Sequence, residues 1–282
     1  MNLNKSLAIL LVAAAPATAA DVSRVRWTMG TFCSIEASGG PDADAAVTVA
    51  FDEIDRWDRI LSLYKPASEL NRLNAAAGTG PFRATPELYA QTEAALRLAR
   101  ETGGAFDPTV LPLERGGAAA LPLVGWSKVR LDPAARTIEL PEKGMGLDFG
   151  GIGKGWALDR AAEVLRARGT SRARLNFGGQ ILVLGTPAGG GAWTAVIPGR
   201  AEPLDFRAGS VATSGDSERP GHIVSPFDGR PVRRSVSATA VLPDATSADA
   251  WSTALYVLGM NPPSFPGRSF FTDNTPYKGE SR

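Results

Sequence analysis

One cysteine and one histidine are all that 282 residues contain of the two side chains most used for zinc, thiol and general-base chemistry. A lone Cys33 makes an intrachain disulfide impossible, and one His with one Cys cannot assemble a usual zinc ligand set. Cys33 reads as a small apolar residue of a strand rather than as a catalytic thiol. Excess charge is also missing: 30 basic against 29 acidic residues leave +1, so no overall field draws nucleic acid or anionic lipid, and an anionic ligand needs a local site. G-x-S-x-G is absent, which removes the usual nucleophile elbow of a Ser-His-Asp hydrolase. Internal repeats and long charged linkers are absent too. With 44% hydrophobic and 21% charged residues, the composition is that of an ordinary globular chain.

The apolar run Leu7 to Ala15 is well short of the roughly 20 residues a spanning helix needs. With Lys5 before it and Ala17-Thr18-Ala19 after it, it has the form of a cleavable secretory signal over residues 1–20. An uncleaved anchor is the weaker reading. There is no twin-arginine pair, and no lipobox surrounds Cys33. The expectation is therefore a periplasmic protein, exported by a cleavable signal and not lipid-anchored.

The segment LDFGGIGKGWALDRAAEVLRARG, Leu147 to Gly169, stands out. A short apolar entry leads to a glycine-dense turn with Asp148 and Lys154, and an amphipathic helix follows. Glycine lets a ligand approach the backbone, and the start of a helix offers unpaired amides. The pattern suits a phosphate or diphosphate, although such turns also arise for steric reasons alone. Neither standard nucleotide fingerprint fits. A Walker loop would need Ser or Thr at Gly155 and Gly at Asp148, and G-x-G-x-x-G would need Gly at Trp156.

Elsewhere the periodicity predicts two short strands or one bent strand over Val22 to Ala37, and a helix opened by Pro41 and Asp42. A restart follows at Ser68, with Tyr64 near the break. A second helix covers Pro86 to Thr102, and a hairpin covers Val129–Leu131 and Thr137–Leu140. Residues Gly116 to Leu121 read as loop. Strands are expected at Ala173–Phe177, Ile181–Leu184, Trp193–Ile197, Gly209–Thr213, His222–Val224 and Ser235–Val241. A last helix spans Ala248 to Leu258, capped by Ser247 and Gly259. The fold class is α+β, a single domain of mostly antiparallel strands in mixed sheets with flanking helices.

Within SADAWSTALYVLG, Asp249 and Thr253 are four apart, which sets a carboxylate and a hydroxyl on one helix face, Asp249 in the first turn. Two hard oxygens so placed suit Mg²⁺. Equally, Asp249 could complement the helix dipole while Thr253 packs. His222, before Ile223 and Val224, could be catalytic or structural. Thr213-Ser214-Gly215-Asp216 gathers donors and an acid at another strand end. Tyr64 reads as core unless a ring stacks on it.

Taken in order, TMGTFCSIEA, LSLYKPASELNRLN, GGAFDPTV, LDFGGIGKGWALDRA, LNFGGQILVLG, TSGDSER with HIVSPFDGRPV, and SADAWSTALYVLG resemble the ApbE family, the FAD:protein FMN transferases. The resemblance spans about Thr28 to Gly259, which bounds the domain as 21–259. It implies FAD contacts at Met29, Tyr64, Ala105, Phe106, Asp107, Asp148, Lys154 and Ile223. It implies Mg²⁺ ligands at Asp249, Thr253 and the carbonyl of Gly151. The implied reaction moves FMN from FAD to a Thr or Ser hydroxyl of an acceptor flavoprotein, a periplasm-facing redox subunit of the membrane, with AMP leaving; His222 is the candidate for the hydroxyl proton. Hydrolysis of FAD to FMN and AMP, or flavin binding without turnover, are the alternatives. Residues 260–282, with Pro262, Pro263, Pro266 and Pro276, read as an atypical polar tail that lacks the family's closing strand.

Overall fold

Met29 and Gly30 turn the chain back on itself with φ of 46° and 80°. This is the two-residue geometry that matches the twist of a hairpin. The turn joins β1 (Val22–Thr28) to β2 (Thr31–Ser38) in register from Val22↔Ala37 to Thr28↔Thr31, so the first region is two strands. The computed structural model describes residues 22–187, 189–216 and 220–273. The expected signal, residues 1–20, lies outside them, as do Ser217, Glu218 and Arg219.

Asp42 accepts a hydrogen bond from the amide of Ala45 and starts α1 (Ala43–Leu61). The apolar stripe of α1 is buried as its spacing predicts: Val47, Ala50, Phe51, Ile54, Trp57 and Leu61. Ser68 caps α2 (Glu69–Ala75), and Thr85 caps α3 (Pro86–Glu101) with Pro86 at the start. A small sheet of β3 (Phe82–Arg83), β4 (Arg130–Asp132) and β5 (Thr137–Glu139) contains the expected hairpin. Between them lie α4 (Leu111–Gly116) and a 3₁₀ segment, Gly117–Leu123, where the sequence reads as loop.

The remaining elements are α5 (Gly153–Ala167), β6 (Arg172–Phe177), β7 (Gln180–Leu184), β8 (Trp193–Ala195), β9 (Leu204–Phe206), β10 (Gly209–Ser214), β11 (Val236–Leu242), α6 (Ala245–Leu258) and β12 (Arg268–Asp273). Seven strands form one sheet in the order β1-β2-β6-β7-β10-β11-β12, every neighbouring pair antiparallel. Helices α1, α5 and α6 pack side by side on one face. On the other face β8 and β9 cover Ile181, Val183 and Val211 in a second apolar cluster. That is why β7 is buried along its whole length.

Three expectations change. His222–Val224 is not a strand; Val224 makes only an isolated bridge to Pro231. The last helix begins three residues earlier than its apolar pattern, because Asp244, not Ser247, is the cap and accepts from the Ser247 amide. Asp249 therefore lies beyond the first turn. The tail contains a closing strand after all: β12 pairs with β11 from Val241↔Arg268 to Val236↔Asp273. The prolines that read as a broken ending form the connection to it, held by Phe265 against Trp251 with ring centroids 5.2 Å apart. Among the described residues no helix is long and apolar enough to cross a membrane.

Cys33 is fully buried in β2. Burial, with the nearby Asp55 carboxylate adding to it, pushes its thiol up to about 12. Below the unfolded thiol pKa of about 8.5 its contribution to stability is complete, and it is lost as pH rises toward the folded value. The native protein should resist thiol alkylation at pH 8 and react once per chain in denaturant, which a mass measurement would read.

Candidate active site

α5 starts without a side-chain cap, because its N-cap residue is Ile152. The deficit is met from another helix. Asp249 of α6 accepts the Gly155 amide through Oδ2 at 2.9 Å, a capping bond made across the antiparallel α5–α6 pair. Its Oδ1 lies 3.7 Å from Lys154 Nζ, and the residue is 5% exposed. A carboxylate so buried persists only with compensation, here one amide, one ammonium and the positive end of α5.

Contact this close needs glycine at 155. A Cβ there would stand 2.1 Å from the carbonyl oxygen of Ala245. Asp159, one turn on, anchors the other end of the pair. Its carboxylate accepts from the amides of Ala245 and Thr246 and from the Thr246 hydroxyl, and burial raises its pKa against those bonds. Gln180 of β7 donates to the Ala245 carbonyl at 2.8 Å. Sequence reasoning passed over Asp159 and Gln180. An aspartate on the buried side of an amphipathic helix was the available signal for the first.

At the open end of the pair, a Cβ built on Gly151 would fall 3.0 Å from Thr253 Oγ1 and 3.3 Å from the Phe106 ring. Gly151 thus leaves a small space bounded by a hydroxyl and an aromatic edge, with Asp249 one turn along α6 from Thr253. The donors are hard oxygens: a carboxylate, a hydroxyl and a backbone carbonyl. This set fits Mg²⁺, which takes few protein ligands and keeps waters or phosphate oxygens in the rest of its shell. Among the described residues no cluster of three His, Cys, Asp or Glu competes for a metal.

Around this centre Met29 reaches toward α5, its Cε 3.7 Å from a Cβ built on Gly153. Asp148 accepts the Gly150 amide at 2.7 Å, and its own amide donates to Pro108, tying the glycine turn to the segment after Asp107. Asn74 grips the entry of the turn through both the amide and the carbonyl of Leu147.

The 105–107 segment is buried. Asp107 turns its carboxylate inward, accepting from the Thr109 amide and hydroxyl and from the Trp126 amide; burial raises its pKa despite those bonds. Its side chain is therefore engaged in holding the loop. Tyr64 is 85% exposed, which overturns the core reading and leaves its ring face open on the turn after α1. His222 is exposed on the loop after β10. Ile223 is buried in the main core, and its carbonyl accepts from the Val232 amide.

The profile of the ApbE family matches residues 29–263. This chain belongs to the ApbE family. Among its relatives, the FAD:protein FMN transferase of Treponema pallidum is 29% identical over 85% of this chain and 79% of the relative. Among solved structures, the ApbE protein of Thermotoga maritima superimposes with a TM-score of 0.81 at 26% identity, covering 89% of this chain and 93% of that one. A mutant of the flavin transferase ApbE from Vibrio cholerae gives 0.75 at 25% identity, covering 85% and 87%. The antiparallel sheet with flanking helices is thus the ApbE fold.

Gly151→Val would fill the space that the Thr253 hydroxyl and Phe106 border. If that space is the Mg²⁺ site its oxygens suit, the expected result in this ApbE protein is weakened binding of both Mg²⁺ and FAD, with the cost to stability held to about 1–3 kcal/mol of local overpacking. Calorimetric titration of each ligand checks it.

Proposed function

We infer that this chain is an FAD:protein FMN transferase that moves FMN onto a Ser or Thr hydroxyl of a partner protein in a Mg²⁺-dependent reaction. The family and its named transferase relatives support the class of reaction. The observation that carries the finer reading is the α5–α6 apposition, which gathers Gly151, Lys154, Asp249 and Thr253 at one helix start. When bound by the Gly151 carbonyl, Asp249 and Thr253, Mg²⁺ would neutralise charge on the FAD diphosphate. Lys154 supplies a second positive charge on the same side, and the start of α5 a third, partial one. Met29 and the open face of Tyr64 would contact the flavin, and the turn held by Asp148 would carry the diphosphate.

The acceptor oxygen forms a bond to the phosphorus on the riboflavin side, the bond from that phosphorus to AMP breaks, and the hydroxyl proton goes to His222. The acceptor is a redox subunit of the membrane, facing a periplasm to which residues 1–20 direct this chain. Fractionation of cells expressing the full chain tests that location.

The deciding experiment incubates the protein with FAD, Mg²⁺ and a candidate acceptor domain and weighs both proteins. A gain of one FMN on the acceptor supports transfer. Free FMN alone would replace transfer by hydrolysis, and unchanged FAD would reduce the chain to a flavin binder. His222→Gln should retain FAD and slow transfer about 10²–10⁴-fold, the usual contribution of a positioned base; transfer at the normal rate would remove His222 from the chemistry.

A further inference from the structure

Beside the α5–α6 pair, three hydroxyls and one carbonyl form a chain. Ser214, at the end of β10, has its Oγ 3.3 Å from Thr253 Oγ1 and 2.8 Å from Ser252 Oγ. Ser252, fully buried, lies 2.8 Å from the main-chain carbonyl of Asp249. Each hydroxyl has one proton to give. A carbonyl can only accept, so Ser252 donates to Asp249 and must accept from Ser214. Ser214 has then given its proton, and toward Thr253 it can only accept. The directions follow without choice: Thr253 donates to Ser214, Ser214 to Ser252, and Ser252 to the Asp249 carbonyl.

We propose that Ser214 is a positioning residue for the metal-binding hydroxyl of Thr253. A neutral hydroxyl ligates a cation through a lone pair, and its proton must point elsewhere. Ser214 takes that proton, which leaves the lone pairs of Thr253 free for a cation in the space beside Gly151. The chain ends on the backbone of Asp249, the other side-chain ligand. One run of hydrogen bonds therefore fixes the orientation of the hydroxyl and ties it to the turn of α6 that carries the carboxylate. Outer-shell partners of this kind typically change metal affinity by about 10–100-fold.

This rests on the reading of Gly151, Asp249 and Thr253 as a metal site, and the test separates the two. Mn²⁺ is titrated into the full chain loaded with FAD, without acceptor, and free Mn²⁺ is read by its paramagnetic resonance signal. Ser214→Ala should weaken Mn²⁺ binding about 10-fold or more. Ser252→Ala, which touches no ligand side chain, should weaken it several-fold, because Ser214 is then free to turn its proton toward Thr253. Ser214→Thr keeps a hydroxyl and should restore binding.

Unfolding midpoints without metal should stay near the wild-type value for Ser214→Thr and for Ser252→Ala, and for Ser252→Ala a purely structural role would not predict that alongside its affinity change. Asp249→Asn is the control. If it abolishes Mn²⁺ binding while Ser214→Ala and Ser252→Ala bind as wild type, the hydroxyl chain is wrong and the metal site stands. If Asp249→Asn binds as wild type, the metal reading itself fails. Should Ser214→Ala not fold, Ser252→Ala alone decides: unchanged affinity overturns the proposal.

Discussion

Gly155→Ala is expected to lower the unfolding temperature by several degrees and to abolish the metal-dependent transfer proposed for this site, although it adds only a methyl group to a helix. On propensity alone alanine would favour α5 by about 1 kcal/mol. The new Cβ, however, would meet the Ala245 carbonyl oxygen at 2.1 Å, its carbon at 2.7 Å and Asp249 Cβ at 2.9 Å. Two of these atoms are backbone, so no side-chain rotation relieves the clash and α6 must move away from α5. That movement strains the bonds that Gln180 and Asp159 make to the first residues of α6. It also lengthens the capping bond from Gly155 to Asp249.

Overpacking against backbone costs about 3 kcal/mol, which for a chain of this size corresponds to roughly 6–12 °C. Thermal unfolding followed by circular dichroism measures the first effect and a Mg²⁺ titration of transfer the second. Wild-type melting together with full transfer would mean that the two helices are not held at this distance.

The same contact explains what was legible in the sequence and what was not. Local rules sufficed wherever a residue acts on its own neighbours: Asp42 and Ser68 as caps, the stripe from Val47 to Leu61, the strands β6, β7 and β10. They failed where the cap lies upstream of the apolar run or where a remote group takes over a local task. Ser247 looked like the cap of the last helix because it precedes the apolar run, yet Asp244 does the capping and Asp159 secures the two amides after it. β9, three residues between glycine- and proline-rich turns, exists because β8 and the second apolar cluster accept it. β12 was hidden by its prolines, which break helical continuity but leave the strand beyond them intact.

In the candidate site, spacing joined Asp249 to Thr253, and glycine density marked the turn. Nothing local could reveal that the two segments meet, and the family resemblance supplied that link. The role of Gly155 as the point of closest approach, and of Ser214 beside Thr253, came only with the three-dimensional arrangement.

Replacing Asp249 separates its two tasks, which the geometry assigns to different oxygens. Oδ2 caps α5 through Gly155, whereas Oδ1 faces Lys154. Asp249→Ala removes both and leaves a buried amide unpaired, so stability should fall by about 1–2 kcal/mol, as for loss of a helix cap. Asp249→Asn can still present a carbonyl oxygen to the Gly155 amide and should melt close to wild type. Its charge is gone, however, and the proposed Mg²⁺ site loses its one anionic side chain. Transfer by Asp249→Asn should therefore fall at least about 10²-fold, in the range typical for removing one preorganised electrostatic group. FAD binding measured without metal should persist, because Lys154 and the start of α5 keep their charges and lose an acidic neighbour. The informative comparison is the pair of variants at saturating FAD across a Mg²⁺ series. Equal loss of transfer with unequal loss of stability assigns Asp249 to the chemistry. Transfer that tracked stability instead would make Asp249 a capping residue, with its carboxylate serving the fold alone.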